Sequence, residues 1–306
     1  MNSFLKSGMV LLLFLLQTSL KAQDRIEPKK LHQIEPHVYL FQGGGDWALN
    51  SLILEDKDGL ILIDTQFADE NNELLILALR EKFPNKKLNT IVVSHPHADH
   101  FMGIPLFQKE FGTKEIIGIK GENKHLRETA HILYPFYEQV SPNKKIALDK
   151  LVYPNKEIAS GFELSFSNRL ARFELIGQNE SWNSWILYLP DSKLLYTGDL
   201  YWDGLTLDPE GFGSSLLGWE KELRKIMNRE VGKVVPGHGV GLFNRKSVDD
   251  FLYHLSTFIA NGKSKIEKGM SRENFIKDES HGPLNLFGDR TSILGHAYDE
   301  LKAIVN

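Results

Sequence analysis

The chain has no cysteine among its 306 residues. That excludes disulfides, thiolate metal ligands and cysteine nucleophiles. It also suits an oxidising compartment, where a stray thiol is a liability. Positive charge is not in excess: 36 Lys and Arg stand against 40 Asp and Glu, for a formal net charge of -4. A mildly acidic protein has no electrostatic footprint for nucleic acid or an anionic membrane surface, so neither is expected as a partner. No internal repeat and no low-complexity linker break the chain, which speaks against solenoids and strings of modules. No motif for a serine nucleophile or a Ser-His-Asp triad stands out. What remains is 42% hydrophobic and 25% charged, ordinary globular composition with enough apolar residues for one large core.

The N-terminus departs from that average. Lys6 precedes the apolar run Met9–Leu16, and Ser19-Leu20-Lys21-Ala22 offers a small residue for cleavage. Residues 1–22 read as a secretory signal peptide, too short to span a bilayer, with an uncleaved anchor as the alternative. No cysteine follows the run, so a lipoprotein is excluded. The segment carries Lys6 and Lys21 and no acid, so its removal takes the charge from -4 to -6 (-4 - 2). The expected mature protein is periplasmic or secreted, has no membrane anchor, and comprises one domain over 23–306. Its last part, from about 270, reads as a helical tail broken at Gly282-Pro283.

Periodicity gives mixed α and β. Residues 23–36 read as an extended lead-in. His37–Phe41, Ala48–Leu54 and Leu60–Asp64 read as strands, the first two separated by Gly43-Gly44-Gly45-Asp46, a loose turn or a backbone cradle. A helix over Asn72–Arg80 leads to the strand Thr90–Val93. Phe101–Phe111 predicts a helix, Ile116–Ile119 a strand, and Glu122–Val140 a helix holding His125 and His131, both expected to be surface or core-edge residues and not metal ligands. Lys150–Tyr153, Phe162–Phe166, Arg172–Ile176, Trp185–Leu189, Leu194–Tyr196 and Lys233–Pro236 follow as short strands. Leu216, Trp219, Leu223 and Ile226 lie at helical spacing, as do Val248, Leu252, Leu255 and Ile259. His281 and His296 in the tail are expected to be structural.

The chemistry concentrates in Ser94-His95-Pro96-His97-Ala98-Asp99-His100, directly after the β-branched run Thr90–Val93. A strand end is a rigid mount for a site that must be held closely, and imidazole and carboxylate are zinc ligands. His95 and His97 are two apart, so in extended backbone they point the same way and can grip one ion. Asp99 and His100 come after the chain turns and can face a second ion, about 4 Å away in the usual two-metal arrangement.

This H-x-H-x-D-H after a hydrophobic strand resembles the metallo-β-lactamase fold superfamily, with landmarks from about residue 35 to about 260. The resemblance implies an α+β fold, a four-layer αββα sandwich. It implies that Asp199 of Thr197-Gly198-Asp199 bridges two metals and that His238 of Gly237-His238-Gly239 completes the second. Asp64 matches an acid that supports the metal loop from behind the ligands; a plain turn carboxylate is the alternative. The chain departs from the family where a G-H-T is usual. Counting back from Tyr188-Leu189-Pro190 puts Glu180 on the expected histidine, and a shift of one puts Asn179 there. Glutamate is a competent zinc ligand, and related alkylsulfatases are similar in this respect. Glu180 either ligates the first metal or leaves that site weak.

With His95, His97, Glu180, Asp99, His100, Asp199 and His238 as ligands, the implied cofactor is a pair of zinc ions, manganese or iron being alternatives. The implied activity is hydrolysis of a small molecule (an ester, lactone, lactam, thioester or sulfate ester) by a metal-bridging hydroxide that Asp99 orients. The alternative is a non-catalytic or one-metal binding protein, impaired by Glu180. Tyr201–Leu205, Trp182, Trp185 and Trp219 are placed either to wall an apolar substrate pocket or to pack the core.

Overall fold

The structure is a computed structural model that describes residues 26–45, 49–202, 206–207, 213–282, 285–286 and 289–305. The signal segment, Asp46, Ala48, Asp203–Leu205 and Pro283 lie outside them. Two sheets stack face to face. The first is built in chain order from β1 (Leu31–Glu35), β2 (Val38–Gln42), β3 (Asn50–Asp56), β4 (Gly59–Ile63), β5 (Leu88–Val92), β6 (Glu115–Ile119) and β7 (Lys156–Ile158). Its first four strands are antiparallel neighbours and β4 to β7 run parallel. Parallel neighbours need crossovers. Helices α1 (Asp69–Lys82), α2 (Ile104–Phe111) and α3 (Asn123–Val140) supply them.

The second sheet comprises β8 (Phe162–Phe166), β9 (Arg169–Ile176), β10 (Ser184–Leu189), β11 (Leu194–Tyr196) and β13 (Lys233–Val235) in the order β13-β11-β10-β9-β8. Between β11 and β13 come β12 (Thr206–Leu207) and α4 (Leu216–Ile226). Helices α5 (Arg245–Glu267), α6 (Arg272–Lys277) and α7 (Arg290–Val305) follow, and β14 (Asn285–Leu286) pairs with β12.

Strand alternation explains the layering. In β2, Val38 and Leu40 face the second sheet while Tyr39 and Phe41 face α1–α3. In β11, Leu194 and Tyr196 face inward between the sheets and Leu195 faces α4, α5 and α7. Three apolar clusters result, one between the sheets and one beneath each helical layer. Four layers in the order αββα follow, and the fold is the expected sandwich. The tail is part of it: Leu294, Ala297 and Leu301 of α7 are buried with Phe258 and Ile266 of α5.

Some expectations fail locally. Lys150–Tyr153 is not a strand. A single 3-10 turn covers Leu148–Lys150, and the segment then runs unpaired to Pro154, with Leu151 buried under α3. The pairing strand starts later, at Lys156. The lead-in contains a strand, β1, which caps the sheet edge against β2. The helix after the metal loop begins at Ile104, with Pro105 preset in its first turn; Phe101–Gly103 is still turning. Helix α1 begins three residues before Asn72.

Candidate metal centre

The C-terminal ends of β4 and β5 meet those of β9, β11 and β13 at one edge of the sandwich. The two sheets are tied there: Trp185 N–H donates to Ser94 O at 2.7 Å and Asn50 N–H to Gly237 O at 2.9 Å. Ligand-type atoms of His95, His97, Glu180 and Asp199 lie within 4.8 Å of one another, and so do those of Asp99, His100, Asp199 and His238. Asp199 is common to both groups. Its Oδ2 is 3.6 Å from His95 Nε2 and 3.2 Å from His238 Nε2, and its Oδ1 is 3.3 Å from His100 Nε2. Glu180 faces His97 Nδ1 at 3.0 Å, and Asp99 faces His238 Nε2 at 3.2 Å. Every ligand residue proposed from the sequence therefore reaches one of two adjoining clusters.

Asn179 does not. It is buried in its own loop, its amide donating to Gly177 O at 2.7 Å and to Ser184 Oγ at 3.2 Å. Of the two candidates in the loop over 177–183, Glu180 is the one whose side chain joins a cluster. The other half of the centre depends on close backbone contact. A Cβ on Gly237 would stand 1.9 Å from Asp199 Oδ1, so only glycine lets the strand carrying His238 approach.

Asp64 sits behind the ligands, fully buried, in the left-handed region at φ 58°. A non-glycine residue there carries a conformational cost of about 1–3 kcal/mol, which the surroundings offset. Its Oδ1 accepts Ser94 N–H at 2.7 Å. Its Oδ2 accepts Ser94 Oγ–H at 2.6 Å, Tyr196 O–H at 2.6 Å and His100 Nδ1–H at 2.9 Å. Proton counting then fixes two tautomers. His100 spends Nδ1–H on Asp64, so Nε2 is the nitrogen it turns to Asp199 and offers to a cation. Ser94 has given its only hydrogen to Asp64, so at 2.9 Å it accepts from His95 Nδ1–H, leaving His95 Nε2 bare. One acid thus orients an imidazole in each group. Ser94 and Tyr196 were not singled out from the sequence. A hydroxyl beside the first histidine of the motif, and a tyrosine at an inward strand position, were the available signals.

The charges of the two clusters act strongly on one another. Burial, with His100 nearby, holds the His95 imidazole well below its ordinary range. Burial also opposes charge on His238, but Asp199 and Asp99 outweigh it and lift the imidazole to about 10. His100 is lifted well above its ordinary range against burial by Asp199, Asp99 and Asp64. Asp199, despite burial, is pulled well below the usual carboxylate range by His238, His100 and His95. Three carboxylates this close demand positive charge. His95 Nε2, His100 Nε2, Glu180 Oε2 and Asp199 Oδ1 are buried without a hydrogen-bond partner among the described residues. Converging buried lone pairs are costly unless something satisfies them. A divalent cation would do so, and an all-nitrogen-and-oxygen donor set suits zinc, manganese or iron.

The aromatics divide. Trp185 is core, edge-on to Phe162 at 4.9 Å, and Trp219 packs on Phe251 with its Nε1–H on Leu200 O at 2.6 Å. Trp202 instead lies 4.4 Å from the His238 ring, at the centre itself. His125 stacks on Trp182 and His281 is held by Phe275 O at 2.7 Å, both outside the two clusters, as expected.

Comparison with known proteins follows the same lines. Residues 44–238 match the metallo-beta-lactamase superfamily. The chain is 24% identical over 193 residues to "Metallo-beta-lactamase type 2" of Bacillus cereus, a stretch covering 62% of this chain and 66% of that one. It is 25% identical over 277 residues to the alpha subunit of a 2,4-dinitroanisole O-demethylase of Nocardioides sp., covering 85% of this chain and 73% of that one. A stereoselective inverting sec-alkylsulfatase of Pseudomonas sp. superposes with a TM-score of 0.68 at 19% identity, over 88% of this chain and 50% of the other.

Proposed function

Because this chain belongs to the metallo-beta-lactamase superfamily, we propose that it is an exported hydrolase with a two-cation centre, zinc being the first choice of ion. The observation that carries this reading is the sharing of Asp199 between two four-residue groups. A carboxylate with one oxygen toward His100 and the other toward His95 and His238 supports a centre that two ions would share.

In this reading His95, His97 and Glu180 hold one cation and Asp99, His100 and His238 the other. The bound pair supplies a water acidic enough to lose a proton near neutral pH and a positive field on the substrate oxygen. The remaining work belongs to the chain. Asp99 orients that water by accepting its hydrogen. Asp64, through Ser94 and His100, keeps two ligand nitrogens bare. Trp202 beside His238 offers an apolar edge to the substrate. The substrate class is an ester, lactone, lactam, thioester or sulfate ester. A β-lactamase and a sulfatase among the similar proteins support hydrolysis, and an O-demethylase extends the range of leaving groups.

The test is metal content per chain measured together with turnover of nitrophenyl acetate, phosphate and sulfate, a lactone and a cephalosporin. Two ions and turnover of at least one of them are expected. One ion or none, with no turnover, would instead establish a binding protein disabled by Glu180.

A further inference from the structure

We propose that Trp182 is a positioning residue, a wedge that sets the place of Glu180 and so the grip of one half of the centre. The inference rests on the reading of Glu180 as a ligand. Glu180 stands at the tip of the loop over 177–183 between β9 and β10. One flank of that loop is fastened to the start of α4, where Ser215 N–H donates to Asn179 O at 2.7 Å and Gln178 Nε2–H to Gly213 O at 2.8 Å. The other flank carries Trp182. One face of its indole is stacked on His125 of α3, ring centroids 3.7 Å apart at 19°. Its opposite side is pressed on Gly213, where a Cβ would fall 2.3 Å from the indole Cγ. Gly213 has φ 78°, so it is glycine for both space and backbone.

A side chain covered on both sides is not a platform for substrate stacking. It is a spacer of fixed thickness between α3 and the approach to α4. Helix α3 is itself fixed to the metal loop, Thr129 Oγ1–H donating to Pro96 O at 2.9 Å. His97 and Glu180, which face each other at 3.0 Å, are therefore referred to one frame through His125 and Trp182. Loss of the wedge frees the loop to move by fractions of an ångström, which metal ligation does not tolerate.

The experiment measures both zinc dissociation constants of the full chain, by competition with a chromophoric chelator, for wild type, Trp182→Ala, Trp182→Phe, His125→Ala, His125→Phe and Glu180→Gln. Trp182→Ala and His125→Ala are expected to weaken one of the two ions by about 10- to 100-fold, the range for residues that support ligands, and to leave the other unchanged. Both phenylalanine variants keep a stacked ring and should restore most of that affinity. Glu180→Gln should weaken the same ion. Equal weakening of both ions by Trp182→Ala, or of neither, overturns the wedge. Should Trp182→Ala fail to fold, the His125 pair decides alone: equal affinities in His125→Ala and His125→Phe overturn it. If Glu180→Gln changes neither ion, the ligand reading fails instead, whatever the Trp182 variants do.

Discussion

Asp64 is the residue on which most of the centre's hydrogen bonding converges, and its substitution separates orientation from ligation. In Asp64→Asn an N–H group faces donors from Ser94, Tyr196 and His100, so two tautomers lose their anchor. Both ions should bind about 10- to 100-fold more weakly in a chelator competition, with the ligands themselves intact. Tyr196→Phe removes one donor of four and should cost less. The protons matter as well. In chelator-treated protein, burial lowers the His238 imidazole, yet Asp199 and Asp99 raise it to about 10 overall. A raised imidazole contributes stability that is fully present below its unfolded value of about 6.5 and is lost as pH climbs through 10. The metal-stripped protein should therefore lose thermal stability between those limits. An incoming cation must also displace the proton, so zinc affinity should rise with pH, and calorimetry in buffers of different ionisation enthalpy should register proton release. No release would contradict His238 as a ligand. Most candidate ligands were legible in the sequence because four crowd one loop and Asp199 and His238 follow strands beside glycines, whereas Glu180, at a loop tip, was reached only by counting back from the next strand. The partnership of Tyr196 with Asp64 was not, because it joins positions 132 apart that only the stacking of the sheets brings together.

Among the elements, the helix that flanks the Glu180 loop has an unusual start. Ser215 caps α4 on Gly218 N–H at 2.9 Å. Glu300 of α7 then accepts from Ser215 Oγ–H at 2.6 Å, Leu216 N–H at 2.8 Å and Leu217 N–H at 3.2 Å. A carboxylate on free N–H groups at the positive end of a helix is stabilising. Glu300→Ala should cost about 1–2 kcal/mol in denaturant unfolding, and Glu300→Gln less, since it keeps an acceptor. An unchanged midpoint in Glu300→Ala would argue against the cap. Strands such as β2, β3 and β10 were readable because both faces are covered and their sequences are continuous apolar runs. Strands β1 and β7 were not, because neither has a fully buried residue to mark it. Lys150–Tyr153 misled for the converse reason. Its apolar residues cover α3 and never pair.

At the scale of the whole molecule, export is the first expectation to check. The order of Lys6, apolar run and small residues predicts a mature start between about residues 21 and 25. Mass spectrometry of the exported protein should find it there; an intact Met1 in that pool would end the proposal. The path from Glu300 has a different consequence, one of timing. A ribosome makes the chain from the N-terminus, and most of the centre, from His95 to His238, is complete long before residue 300 emerges. The loop of Glu180 nevertheless leans on the start of α4, and the start of α4 leans on the last helix. A nascent chain arrested after α5 should therefore display the Asp99, His100 and His238 half of the centre before it can hold Glu180 firmly. The ion on the Glu180 side would then be the last to settle, so that full loading of the centre marks a chain that has been made to its end.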